Sequence, residues 1–189
     1  MGIEYEAAFL DINKDEMRKR LSAAGAILER PEFDQRRVVL SIPGQKDARH
    51  VWARVRDEGN KVTMAWKAKD GDAIEGQKEI QLTVDDFGQA VKFLEQLGCI
   101  QESYQETKRE LWHLDQVEVV IDTWPFLDPL VEIEGTSEQA VRVAAETLGF
   151  DWSDAHFDSA GRFYRMKYGE HADPTKVPRL TFEIPNPFV

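Results

Sequence analysis

Residues 3–10 alternate Ile3, Tyr5, Ala7 and Phe9 with Glu4, Glu6 and Ala8, the period of two expected of a strand with one apolar face. A helix should follow. Asn13 can cap it, Glu16 stands at capping-box spacing, Met17, Leu21 and Ala24 make its buried stripe, and Gly25 is a natural stop. Short strand patterns then recur at residues 37–42, 51–56 and 61–67, separated by the turns Pro43-Gly44-Gln45-Lys46 and Asp57-Glu58-Gly59-Asn60. After a loop over residues 68–76, residues 79–84 read as a strand, and Asp85 or Asp86 caps a second helix with the stripe Phe87, Ala90, Val91, Leu94 and Leu97, closed by Gly98. Strands are expected again at residues 107–114, 117–122 and 131–134. A third helix starts at Thr136 or Ser137, buries Ala140, Val141, Ala144 and Leu148, and ends at Gly149.

About eight strand-like segments and three helices, many joined by hairpin-length turns, predict an α+β fold built on an antiparallel sheet, with a closed barrel as the sharper expectation. No stretch has linker composition, so residues 1–189 are expected to form a single domain, with a core at about 1–168 and a C-terminal tail or lid at 169–189. In that tail, Pro174, Pro178, Pro185 and Pro187 flank an appended strand expected at 180–184.

Composition narrows the function. Acidic residues outnumber basic ones 35 to 24, a formal charge of −11, which argues against a protein that wraps nucleic acid. The single Cys99 excludes an internal disulfide and any multi-cysteine metal site, in keeping with a reducing compartment. No apolar run is long enough to span a membrane and no leader precedes the first strand, so the sequence reads as cytoplasmic, without nucleic-acid or membrane partners. His50, His113, His156 and His171 show no ligand spacing. The five tryptophans are taken as packing residues.

The chemistry lies in same-face charged pairs. Glu4 and Glu6 share one strand face, as do Glu132 and Glu134, because residues two apart point the same way. Taken singly, each pair reads as the wet face of an amphipathic strand. Other strands, however, present Arg54 and Arg56, Lys67, and Arg109, with Glu79 and Asp122 as further acids. Enclosed together, such groups need a ligand: two carboxylates about 5 Å apart repel by ~3 kcal/mol at an effective dielectric near 20. Carboxylate clusters hold hard divalent cations, and Arg and Lys clamp phosphate oxygens, so the set points to a polyphosphate carried with its metal.

In order, Glu4-Tyr5-Glu6-Ala7-Ala8, Ala53-Arg54-Val55-Arg56, Trp66-Lys67, Lys108-Arg109, Ile121-Asp122-Thr123-Trp124 and Val131-Glu132-Ile133-Glu134-Gly135 resemble the motifs of the CYTH superfamily. These are the triphosphate tunnel metalloenzymes, which include class IV adenylate cyclases, thiamine triphosphatases and inorganic triphosphatases. The resemblance covers about residues 1–168. It implies an eight-stranded antiparallel closed barrel with flanking helices, a small-molecule triphosphate as substrate, Mg²⁺ or Mn²⁺ as cofactor, and a homodimer. By position, Glu4 and Glu6 resemble the catalytic pair, and Glu4, Glu6, Glu79, Asp122, Glu132 and Glu134 the metal-binding acids. Arg54, Arg56, Lys67 and Arg109 resemble the triphosphate clamp.

The implied activity is metal-dependent phosphohydrolysis of inorganic triphosphate, ATP or thiamine triphosphate, or class IV cyclase chemistry. The chain departs from the family at Ala8, where a lysine is usual; at Gln77 and Gln81, around Glu79; and at Thr107, where a second basic residue often precedes the arginine. Three readings stay open: weakened activity in a protein that binds polyphosphate or nucleotide, substitution by another basic residue, or a deliberate change at position 8. Lys78 and Lys108, one residue out of phase, should point outward.

Overall fold

The N-terminal alternation becomes β1 (Gly2–Phe9), and the capping residues act as expected: Asn13 accepts from the Glu16 amide at the start of α1 (Lys14–Ala23). The computed structural model of the chain describes residues 2–44, 51–69 and 77–189, and within these the side chains of all but residues 2–4, 69 and 77. After α1 come β2 (Ile27–Ser41), β3 (Val51–Asp57), β4 (Val62–Lys69), β5 (Gln77–Val84), α2 (Phe87–Gln96), β6 (Ile100–Leu114), β7 (Val117–Thr123) and β8 (Leu130–Gly135). Then follow α3 (Glu138–Thr147), α4 (Ala160–Tyr168) and β9 (Arg179–Leu180). Asp86 caps α2 and Ser137 caps α3 through hydrogen bonds to the Gln89 and Ala140 amides. Gly25, Gly98 and Gly149 follow their helices at φ of 82°, 92° and 80°, where a side chain would be strained.

Strands β1 to β8 pair antiparallel in the order β2-β3-β4-β5-β1-β8-β7-β6, and β2 also pairs with β6. The sheet curls into a half-barrel rather than the fully closed barrel expected. Among the described residues, β1 and β5 share three residue pairs, Gly2–Glu79, Ile3–Lys78 and Glu4–Gln77. Residues 5–9 of β1 lie past the described start of β5, and residues 80–84 of β5 run past the start of β1. Strands β2 and β6 are longer than expected, at 15 residues each, because they wrap the sheet as one long antiparallel pair with bulges.

The sheet is apolar outside and polar inside. Ala7 and Phe9 of β1 pack outward with Met17 and Leu21 of α1 and Val141, Ala145 and Leu148 of α3. Val38, Leu40, Ala53 and Val55 pack outward against Ala90 and Val91 of α2. A third cluster joins Ala8 and Leu130 of the sheet and Trp124, just past β7, to Phe163 and Tyr164 of α4, then Ala172, Leu180 and Phe188. Helix α4 was not expected from the sequence, and the strand expected at 180–184 is only Arg179–Leu180, paired in parallel with β6. Among the described residues, no helix is long and apolar enough to cross a membrane.

Candidate active site

Alternation carries Trp52, Arg54 and Arg56 of β3 to the inner face, where they line a cavity of about 1130 Å³. Register sets Lys67 of β4 beside Trp52, and Glu79 of β5 beside Lys67. The Glu79 carboxylate lies 3.0 Å from Lys67 Nζ and 3.3 Å from the Arg54 guanidinium, so it holds two cations in place from within the wall. Arg56 lies 2.7 Å from Glu58. This is one charged wall.

The opposite wall is acidic. Glu6 of β1 is directly paired with Glu134 of β8, and Glu134 with Glu118 of β7, while Glu132 sits between Ala8 and Val120; all four glutamates line the cavity. Burial, then the charges of Glu6 and Asp122, push the Glu132 carboxyl up to about 8 against the pull of Arg109 and Arg37. The ligand-free cavity therefore keeps a proton on its acidic wall at neutral pH.

Arg109 of β6 joins the walls. Its guanidinium donates to both oxygens of Asp122, at 2.7 and 2.5 Å, and to Glu132 at 3.0 Å. Burial opposes its charge, but Asp122, Glu132 and Glu118 outweigh that and hold its pKa well above the usual range. Asp122 is fully buried behind Arg109 and does not line the cavity, so its immediate task is to orient that guanidinium. Of the residues singled out in the sequence, Glu6, Arg54, Arg56, Lys67, Glu79, Arg109, Glu132 and Glu134 meet at one cavity. The backbone of Glu4 pairs with Gln77, and its side chain lies outside the described residues.

The departures acquire physical form. Ala8 is buried, exchanges two backbone hydrogen bonds with His156 at 2.8 and 2.9 Å, and belongs to the apolar cluster under α4. Gln81 lines the cavity. Lys108 points outward, 3.4 Å from Asp34. The inner residues that were not anticipated include Arg37 of β2, Glu118 of β7 and Arg165 of α4. Two tryptophans taken as packing residues, Trp52 and Trp124, also line the cavity. The signal for Arg37 was its two-residue spacing from Gln35 and Val39, hidden by the apolar Val38 and Leu40 that face α2.

Among the described residues, no three acids, cysteines or histidines stand ready-made around a cation. The donor set nevertheless suits a hard divalent ion. Burial, then the charges of Glu6 and Asp122, raise the Glu132 carboxyl, a cost that a divalent cation would offset, and such an ion would complete its shell with water and phosphate oxygens.

The CYTH domain model matches residues 3–159. The chain belongs to the CYTH family. Similar folds include the PH1012 protein of Pyrococcus horikoshii, with a TM-score of 0.71 and 19% identity over 83% of this chain and 96% of that one. A candidate adenylate cyclase from Vibrio parahaemolyticus gives 0.71 at 11% identity, over 85% and 97%. HpAC1 from Hippeastrum, a candidate adenylyl cyclase with a dominant triphosphatase activity, gives 0.58 at 13% identity, over 89% and 96%. At these identities the likeness is one of fold. No curated protein matches the chain in sequence.

Proposed function

We propose that this CYTH protein is a divalent-cation-dependent enzyme that hydrolyses triphosphates inside the curled sheet. The observation that carries the reading is the facing of two walls across one cavity: Arg54, Arg56, Lys67 and Arg109 against Glu6, Glu132 and Glu134. Family membership supports it.

In this reading the basic side chains bind and align the phosphoryl oxygens, with Arg54 and Lys67 steadied by Glu79 and Arg109 by Asp122. Glu4, Glu6, Glu132 and Glu134 would hold Mg²⁺ or Mn²⁺, which when bound supplies neutralising charge at phosphate oxygens and acidifies coordinated water. The proton retained on Glu132 must leave for that to happen, so cation binding tightens as pH rises toward 8. Glu79 and Asp122, given as metal-binding acids by the resemblance, act here as positioning residues for the clamp. Trp52, on the same strand face as Arg54, offers a flat apolar surface for the organic part of a substrate such as ATP or thiamine triphosphate. Hydrolysis asks less of this site than cyclisation, which also needs a positioned ribose hydroxyl.

The test is phosphorus NMR of the protein with tripolyphosphate, ATP or thiamine triphosphate, each with Mg²⁺ or Mn²⁺ and each with an EDTA control. Metal-dependent release of phosphate is the expected result. Pyrophosphate with cyclic nucleotide from ATP would move the assignment to cyclase chemistry. Shifted resonances without product would make the chain a polyphosphate-binding protein, and unchanged spectra throughout would overturn the reading.

A further inference from the structure

Arg37 is a buried basic residue of the cavity whose position the electrostatics of the described residues do not explain. It lies on the inner face of β2, directly paired with Arg56 of β3 and with Gln105 of β6. It is 6% exposed and lines the cavity, yet it makes no ion pair with any carboxylate of the described residues. Neutral groups hold it instead. One guanidinium nitrogen donates to Gln35 Oε1 at 3.0 Å and to Thr107 Oγ1 at 2.7 Å, and the Thr107 hydroxyl donates to Gln35 Oε1 at 3.2 Å. The plane rests on Trp124, 4.5 Å from the ring centre, and Nε is buried with no hydrogen-bond partner. Burial, then the charges of Arg56, Arg54 and Arg109, hold its pKa well below the usual guanidinium range against the pull of Asp122, and its own charge reaches Glu132.

A buried cation fixed by neutral donors among other cations is expensive unless an anion joins it. The geometry answers a gap in the sequence. Position 107 carries threonine where the resemblance leads one to expect a basic side chain, and the guanidinium that rests on that threonine comes from the neighbouring strand. We propose that Arg37 is a phosphate-binding residue of this site, supplying from β2 the positive charge that β6 lacks at Thr107, with Gln35, Thr107 and Trp124 as its positioning residues. The ligand class is a phosphoryl group of a polyphosphate, and the inference rests on the function proposed above.

The experiment is calorimetric titration of tripolyphosphate into the metal-free protein, so that neither turnover nor cation binding enters. Wild type should bind; Arg37→Met should bind about 10- to 100-fold more weakly, the range of one or two lost charge-assisted contacts. Adding Thr107→Lys to Arg37→Met should recover at least half of that loss on a logarithmic scale, which a structural role for Arg37 would not produce. Thr107→Val, which keeps the charge and frees the guanidinium, should weaken binding by about 3- to 10-fold and remains informative if Arg37→Met fails to fold. Binding by wild type with equal affinity in Arg37→Met, or in Thr107→Val where the former does not fold, would overturn this inference and leave the proposed function standing. Absence of binding by wild type in the metal-free protein would overturn this inference, and absence of binding with Mg²⁺ added as well would overturn both.

Discussion

The two walls of the cavity solve the same electrostatic problem in different ways. On β3, β4 and β5, cations are neutralised within the wall: Glu79 lies against Arg54 and Lys67, and Glu58 against Arg56. On β1, β8 and β7, Glu6, Glu118, Glu132 and Glu134 stand together, Arg109 reaches Glu132, and burial beside Glu6 and Asp122 favours a proton on Glu132. The basic wall is thus rigid and ready for an anion, whereas the acidic wall must exchange a proton for a cation before it is charged to the same degree. Arg109 belongs to both, and Arg37 to neither of the internal pairings.

The largest expected effect comes from cutting the link between the walls. Arg109→Met leaves Asp122 fully buried without its bidentate partner, and urea unfolding should show a loss of about 3–5 kcal/mol. Next is Ala8→Lys, which restores the residue usual in the family. Because Ala8 lies in the cluster with Trp124, Phe163 and Tyr164, overpacking alone should cost about 1–3 kcal/mol, read as a lowered melting temperature without gain in turnover.

Glu132→Gln tests the proton on the acidic wall. A carboxyl held at about 8 keeps its proton where the unfolded chain, near 4.5, has lost it. The folded state then binds more protons between those values, so this group's contribution to stability falls as pH rises from 4.5 to 8 and is level above. The variant should erase that slope relative to wild type, melt higher at pH 8, and lose cation-dependent ligand stabilisation. Arg54→Met should change stability by less than about 1 kcal/mol, since Glu79 keeps Lys67, while weakening tripolyphosphate binding by about tenfold or more. At the small end, Arg142→Ala breaks an exposed pair with Glu146 on α3 and a cation–π contact with Trp152 at 5.7 Å, and its unfolding free energy should shift by less than about 1 kcal/mol.

The charged pairs could be read in the sequence because a strand repeats every two residues, which put Glu132 with Glu134 and Arg54 with Arg56 on one face whatever the strand order. Helix starts were equally readable, since Asn13, Asp86 and Ser137 act locally on the next turn. Arg37 was not readable, because the sheet is polar within and apolar without: Val38 and Leu40, which look like core, pack with α2, and Arg37, which looks like surface, faces the cavity with the buried Gln35 beside it. The outer parts of β2 and β6 were missed for a related reason. Residues 27–36 and 100–106 lack a clean apolar alternation and are held by pairing along the antiparallel β2–β6 ribbon, 27–36 with 106–113 and 100–106 with 36–41. The short, basic helix α4 gave no apolar stripe long enough to stand out, yet it decides what lies over Ala8.

The most direct test of the two-wall account is a crystal structure with tripolyphosphate and Mn²⁺, with diffraction data collected at the manganese absorption edge. The account predicts phosphoryl oxygens against Arg54, Arg56, Lys67, Arg109 and Arg37, with an anomalous peak between them and the carboxylates of Glu6, Glu132 and Glu134. Tripolyphosphate bound outside the curled sheet, or manganese bound away from those three glutamates, would contradict it.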